Sequence, residues 1–221
     1  MSLQHKFGIR FWRLRRLTRE AVSCLGKYLT EQASKPHGLI GMWVTKNWTS
    51  YFNALSAWTL EQTGLETDAV ILEIGYGGGA TLKRLVSDER SFDIYGLDYS
   101  VSAFQTSSRL NRIAIETGQL KLSVASVDNI PYENGKFTTI FAIQTHIFWP
   151  DLRRGLTEIY RVLSDKSQLI ISCEKERITY HLKEYENSDL FAQLLEEVGF
   201  NAVRIKETGN WICYQAFKGG I

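Results

Sequence analysis

At 221 residues the chain is long enough for one α/β domain with a sizeable core and too short for two domains with separate cores. Its hydrophobic and charged fractions, 44% and 23%, are ordinary for a globular protein, and no run of about 18 apolar residues exists, so no membrane-spanning helix is expected. The net charge of +2 is uneven: residues 1–27 carry Lys6, Arg10, Arg13, Arg15, Arg16, Arg19 and Lys27 against Glu20 alone, a net +6, so the remainder is acidic and offers no broad surface for nucleic acid.

In chain order, the start is basic and aromatic without an apolar core, and is not expected to be a secretory signal. Phe7, Phe11, Leu14, Thr18, Ala21, Leu25 and Tyr28 recur at steps of four and three, the spacing of one helix stripe. Lys35-Pro36-His37-Gly38 breaks it, and a second helix is expected over Trp43–Thr63, ended by Gly64. These elements form an N-terminal helical extension, 1–66, ahead of a core from 67 to 221. In the core, strands are expected at 69–74, 92–97, 120–125, 137–144, 168–172, 202–206 and 211–217. Helices are expected at 80–87, 101–116, 150–163 and 189–198. Strands alternating with helices imply a Rossmann-like, doubly wound, mainly parallel sheet of seven strands. The link at Glu207–Asn210 is too short for a parallel crossover, so the last strand is expected to be antiparallel. Cys24, Cys173 and Cys213 are odd in number and far apart, and no His pair stands at ligand spacing. No disulfide framework and no metal are expected, and a reducing cytoplasm is.

The most informative segment is Glu73-Ile74-Gly75-Tyr76-Gly77-Gly78-Gly79, which follows the first core strand and opens a helix. Glycine permits a tight turn with φ > 0 and close approach of backbone to a ligand. In an open α/β sheet, ligands sit outside the carboxyl ends of the strands where strand order reverses. Gly75-x-Gly77-x-x-Ala80 also satisfies the dinucleotide fingerprint, so the glycines alone do not separate a nicotinamide cofactor from other nucleosides. Asp98 ends the second strand, where a carboxylate can accept from both ribose hydroxyls. Its structural alternative is a cap for the helix at Val101.

With these residues the sequence resembles the class I S-adenosylmethionine-dependent methyltransferases. Val70–Gly79 is similar to the family's strand followed by E-x-G-x-G-x-G, and Ile94–Ser100 to its second motif. Ser126–Tyr132 with Phe137 is similar to its "D-A-x-x-L-P-F … F-D" segment. Phe148–Asp151 with Glu158–Leu163 is similar to its "W-P-D … E-I-x-R-V-L" helix. The resemblance implies S-adenosylmethionine as cofactor. Glu73 and the backbone of Gly75 and Gly77 would face its methionine part, with Gly79 completing the glycine set. Asp98 would hold the ribose, Tyr99 would lie against the adenine, and Ser126 and Val127 would flank the adenine edge. Gln144 would offer its backbone near the methionyl amine. The sequence departs from the family at Ser126, often Asp there, at Ala125, where Gly usually precedes it, and at Thr138, which replaces the Asp of the Phe-Asp pair. The segment Gln144-Thr145-His146 lacks the N-P-P-Y type of motif of enzymes acting on nucleobase or amide nitrogen.

Methyl transfer from a sulfonium is an in-line displacement that positioning and exclusion of water can accelerate without a metal; a base is needed only where the acceptor must lose a proton. His146, just beyond the fourth strand, is the candidate base, the alternative being a packed loop histidine. Trp48, Tyr51 and Trp149 are candidates for the acceptor pocket, as are Tyr180 and His181 in the loop after the fifth strand; plain packing is the alternative for each aromatic. The expected function is methyl transfer to O, N or C of a small organic acceptor. Residues 1–27 are read as a lid or packed helix in preference to a contact with an anionic membrane or RNA, which would make the acceptor a lipid or an RNA. A nicotinamide-dependent oxidoreductase and a non-catalytic cofactor-binding protein are the remaining alternatives.

Overall fold

The computed structural model describes residues 53–219. The stripe Phe7–Tyr28, the break at Lys35–Gly38, Trp48 and Tyr51 lie outside the described residues. The chain enters on helix α1, residues 53–61. It then alternates as β1 (Val70–Ile74), α2 (Ala80–Val86), β2 (Asp93–Asp98), α3 (Val101–Leu110), α4 (Arg112–Glu116), β3 (Leu120–Val124) and β4 (Phe137–Ile143). It continues as α5 (Leu152–Val162), β5 (Leu163–Glu174), α6 (Lys175–His181), α7 (Ser188–Val198), β6 (Asn201–Thr208) and β7 (Trp211–Lys218).

The seven strands form one sheet in the order β3-β2-β1-β4-β5-β7-β6. β1 pairs in parallel with β2 and β4, and β7 runs antiparallel to both β5 and β6. This is the Rossmann-like architecture expected, with the reversed strand last in the chain. Strand order switches direction between β1 and β4, which opens a crevice at their carboxyl ends.

Alternate residues explain the two layers. Leu72, Ile74, Ala142 and Ile171 face a cluster with Leu156 and Ile159 of α5 and Phe191 and Leu195 of α7. Ile71, Ile94, Phe141 and Ile170 face the other side with Leu82 and Leu85 of α2, and Trp58 and Leu60 of α1 pack there. Strands covered on both faces need continuous apolar runs rather than alternation, which is how β1 and the middle of β5 read. Cys173 and Cys213 lie in this core as free thiols, and burial pushes Cys213 up to about 12.

Three stretches differ from the expectation, and a fourth adds a contact. The helix anticipated over 101–116 is broken at Asn111, whose carboxamide turns inward and donates to the carbonyls of Gly79 (3.1 Å) and Ser107 (3.2 Å). β5 begins at Leu163 rather than 168, directly after α5, with Lys166 at φ 60 where the chain bends. The segment after β5 is helix α6, not loop, so Tyr180 and His181 are helical; only Ile178 is buried there, too little apolar periodicity to reveal a helix. Finally, α1 is tied to the sheet: the Ser172 hydroxyl stands 2.6 Å from the Thr59 hydroxyl, which itself donates to the Leu55 carbonyl.

Candidate functional site

The site is built at the carboxyl ends of β1, β2, β4 and β5. After β1 the backbone turns back through three left-handed glycines, with φ of 73 at Gly75, 50 at Gly77 and 80 at Gly79. Two of them are also required by what they face. A β-carbon on Gly75 would collide with the Thr145 side chain beyond β4, approaching its Cβ to 2.7 Å. One on Gly79 would collide with Ser107 and stand 2.6 Å from the Asn111 amide nitrogen. The loop is thereby wedged between the chain beyond β4 and helix α3, whereas at Gly77 and Gly78 a β-carbon would meet nothing within 4 Å.

Asp98, at the end of β2, braces this loop. Its Oδ2 accepts from the Gly77 N–H at 2.9 Å and its Oδ1 from the Ser100 N–H at 2.9 Å. The capping role that was the alternative for Asp98 falls to Ser100, whose hydroxyl accepts from the Ala103 N–H. A carboxylate has about four acceptor positions, so two remain for a ligand.

Glu73 is 3% exposed, and its Oε2 has no hydrogen-bond partner within the protein. Burial pushes its carboxyl up to about 8; a hydrogen bond with Thr81 opposes the rise and the nearby Asp98 adds to it. A buried acceptor left open at a ligand-facing strand end is one that a ligand's donor can satisfy.

Across the switch point, Gln144 follows β4 with φ 57, uncommon for a residue with a β-carbon. Its N–H donates to the Ser172 carbonyl at 2.8 Å, and its side chain clamps Glu174 at the end of β5. Gln144 Nε2 donates to Glu174 Oε2 at 2.8 Å, and the Glu174 N–H donates to Gln144 Oε1 at 2.9 Å. Thr145 and Glu174 carried no motif that singled them out in the sequence; their roles emerge only from pairing across strands.

Residues 72–171 match the family described as a methyltransferase domain. That matched region is similar to the class I S-adenosylmethionine-dependent methyltransferases. An uncharacterised methyltransferase of Bacillus subtilis strain 168, YdaC, is 22% identical over 120 residues, covering 54% of this chain and 64% of that protein. The ubiquinone/menaquinone biosynthesis C-methyltransferase UbiE of Geobacter sp. strain M21 is 23% identical over 137 residues, 60% of this chain and 54% of its own. The chain thus spans less than two thirds of the length of either. A crystal structure of an S-adenosylmethionine-dependent methyltransferase from Aquifex aeolicus superposes with a TM-score of 0.62 at 19% identity, covering 73% of this chain and 88% of that one, a likeness of fold.

The methyltransferase site fits its cofactor on three observations: the open Glu73 Oε2, the uncrowded backbone at Gly77 and Gly78, and the spare acceptor positions of Asp98. When bound, S-adenosylmethionine supplies a methyl group on a positively charged sulfur. Glu73, Gly75, Gly77 and Gly79 line the β1 turn, and Asp98 and Tyr99 end β2. Tyr99 is 80% exposed, a ring with a free face. Ser126 is exposed as well, but the Val127 side chain is buried in the core, so only its backbone is left for a ligand.

The remaining expected residues separate into buried and exposed sets. His146 is 1% exposed, with its ring 5.4 Å from that of Phe191 and 6.3 Å from that of Trp149. Burial holds its pKa down to about 3. Trp149 is half-buried and packs on α5, where Gly155 leaves room: a β-carbon there would lie 2.9 Å from the indole. Tyr180 and His181 are exposed instead, and His181 meets the exposed Phe148 at 5.0 Å and Tyr180 at 4.8 Å between ring centroids. Phe148 belongs to the Phe148–Asp151 motif, and the resemblance implies no role for its ring. Among the described residues no cluster of His, Cys, Asp or Glu is arranged to hold a metal, and no helix is long and apolar enough to cross a membrane.

Proposed function

We propose that this methyltransferase transfers the methyl group to O, N or C of a small organic acceptor that lies against Phe148, Tyr180 and His181. The observation that carries the reading is the exposed cluster of these three rings, on the 3₁₀ turn after β4 and the helix after β5, at the carboxyl ends of strands parallel to β1, which the glycine turn follows. Soluble proteins bury most aromatic surface, and an exposed group of rings beside a ligand crevice suits a flat or cationic acceptor. The name of UbiE, a C-methyltransferase of quinone biosynthesis, supports an acceptor with a ring.

The reaction is a displacement in which the acceptor's lone pair or carbanion forms a bond to the methyl carbon as the carbon–sulfur bond breaks, its electrons neutralising the sulfonium. Asp98 and Glu73 hold the two ends of the cofactor, and Trp149 with His146 forms a packed wall beside the turn that carries Phe148. We assign His146 to that wall, because a group with a pKa near 3 is a weak acceptor of the proton a hydroxyl must lose. His181 is the better placed base: it is exposed, and burial and Arg177 lower its pKa, keeping it neutral in neutral solution. On this reading the lid role proposed for the extension falls to the residues ahead of α1, since α1 itself packs on the sheet, and the protein works in the cytoplasm.

The test is turnover of a panel of phenols, amines and activated carbon acids with S-adenosylmethionine. Tyr180→Ala and Phe148→Ala should raise KM for the acceptor while leaving S-adenosylhomocysteine affinity unchanged. His181→Ala should abolish turnover of hydroxyl acceptors. Methylation of RNA or phospholipid alone, with no panel member accepted, refutes the reading.

A further inference from the structure

Three buried hydroxyl-bearing or acidic side chains from three elements stand in one line. Ser56 of α1 places its hydroxyl 2.9 Å from that of Thr81 on α2, and Thr81 hydrogen-bonds to the Glu73 carboxyl at the end of β1. All three are buried, at 3%, 8% and 3% exposure. The proton count fixes the direction of this chain. An ionised carboxylate only accepts, so Thr81 must donate to Glu73; its single proton is then committed, and Ser56 must donate to Thr81. Once Glu73 is protonated, that constraint is lifted and the chain can run the other way. Asp98 from β2 is the charged group that acts on Glu73; its partners across the strands, Gly96 and Phe141, and the two hydroxyls are neutral.

We propose that Ser56 and Thr81 are positioning residues for cofactor binding: their hydroxyls form a buried relay that orients Glu73, stabilises its ionised form, and couples the seating of α1 to the acid beneath the glycine turn. Both residues are buried, and neither belongs to a motif that carries the family resemblance. Glu73 Oε2 has no hydrogen-bond partner within the protein, so a cationic donor there, such as the ammonium of the cofactor's methionine end, gives this carboxylate the partner it lacks. The proposal rests on the reading of Glu73 as a cofactor-facing group.

The experiment is titration calorimetry of the full chain with S-adenosylhomocysteine between pH 6 and 9, in buffers of different ionisation enthalpy, so that affinity and protons released are both read. Wild type should release about one proton at pH 7, because an acid protonated in the free protein ionises when the ligand binds. Glu73→Gln should release none and lose the pH dependence. Ser56→Ala and Thr81→Val should retain Glu73-dependent release but move its profile to higher pH, with affinity at pH 7 weakened about two- to fivefold as the donor to the carboxylate is weakened or lost. Thr81→Ser should restore the wild-type profile. If Glu73→Gln releases protons as wild type does, the reading of Glu73 fails and the relay with it. If Glu73→Gln is flat but Ser56→Ala superimposes on wild type, the relay is wrong while Glu73 stands. Should Ser56→Ala not fold, Ser56→Cys keeps the volume with a weak donor, and the same two outcomes decide.

Discussion

Asp98 and Gly77 are joined by a 2.9 Å hydrogen bond from the glycine N–H to the carboxylate Oδ2, so the residue expected to grip a ribose also holds the loop expected to cradle the rest of the ligand. The second oxygen takes the Ser100 N–H. One buried carboxylate therefore fixes the spacing between the carboxyl ends of β1 and β2 before any ligand arrives. Preorganisation of this kind removes an ordering cost from binding.

Asp98→Ala should weaken S-adenosylhomocysteine binding by about 1.5–3 kcal/mol, the range for hydrogen bonds to a charged group. Because two backbone donors lose their acceptor, the melting temperature of the unliganded protein should fall as well. Asp98→Asn, which keeps one acceptor oxygen, should lose less stability. Calorimetry and thermal melts measure both quantities, and a folded Asp98→Ala protein of undiminished affinity would remove Asp98 from the ribose site.

Which parts of this arrangement the sequence discloses follows from how local their causes are. The Glu73–Gly79 turn is legible because a left-handed backbone demands glycine at three positions within five residues. The parallel strands are legible because burial on both faces demands near-continuous apolar runs such as Val70–Leu72 and Leu169–Ile171. Thr145 is silent because its constraint is a steric one exerted on Gly75, seventy residues away in the chain. Gln144 is legible only through the resemblance and for its backbone; its side-chain clamp on Glu174, and Glu174 itself, are silent because glutamine and glutamate are ordinary surface residues until β4 and β5 lie side by side. The position of His146 just beyond β4 is legible, but its side-chain direction follows from the 3₁₀ turn that sends it towards Phe191. Helix α6 is not legible because a short polar helix carries its information in contacts rather than periodicity.

The motif Glu158-Ile-Tyr-Arg161 has a structural meaning that predicts stability. Arg161 bonds both oxygens of Glu158 at 2.8 Å and donates to the carbonyls of Ile130 and Tyr132 at 2.9 Å, while Glu158 accepts the Ile130 N–H. The pair fastens the segment after β3, which includes Ser126 and Val127, to α5. Arg161→Ala should cost about 1.5–3 kcal/mol through several charge-assisted bonds lost together. Arg161→Lys should recover little of it, since an ammonium cannot match the guanidinium fork. Urea denaturation with an unchanged slope checks this; a loss below the resolution of the method contradicts it.

His146 makes the fold acid-sensitive. Its pKa is about 3 in the folded protein against an ordinary value of 6.5. The unfolded chain therefore binds a proton between those values that the folded one refuses, so stability is intact above about 6.5 and declines as pH falls towards 3. The slope is at most about 1.4 kcal/mol per pH unit within that window. Glu73 acts oppositely. Its pKa, raised to about 8, favours the folded state in acid and is a growing liability as pH rises from 4.5 to 8. His146→Phe should flatten the acid limb, and Glu73→Gln should raise the melting temperature of the unliganded protein near pH 8. Stability measured against pH for the two variants distinguishes them; an unaltered acid limb in His146→Phe would place its proton elsewhere.

Residues 1–27, with their apolar stripe and net charge of +6, give the last prediction. An isolated helix of this length is marginal in water, so its apolar face needs a surface to cover. On the proposed reading that surface is the acceptor side of the site. Deleting residues 1–30 should then leave a folded protein that still binds S-adenosylhomocysteine, because Glu73, Asp98 and the glycine turn all lie in the part that remains. Turnover should be lost, since water enters and the acceptor is no longer held. Raising salt should change wild-type turnover little, because an apolar contact is not screened. Recruitment to an anionic membrane or RNA predicts the reverse on both counts: binding that falls steeply with salt, and a truncated enzyme still active on a soluble acceptor. Full activity of the truncated protein on a soluble acceptor therefore sinks the lid and makes the basic arm a tether.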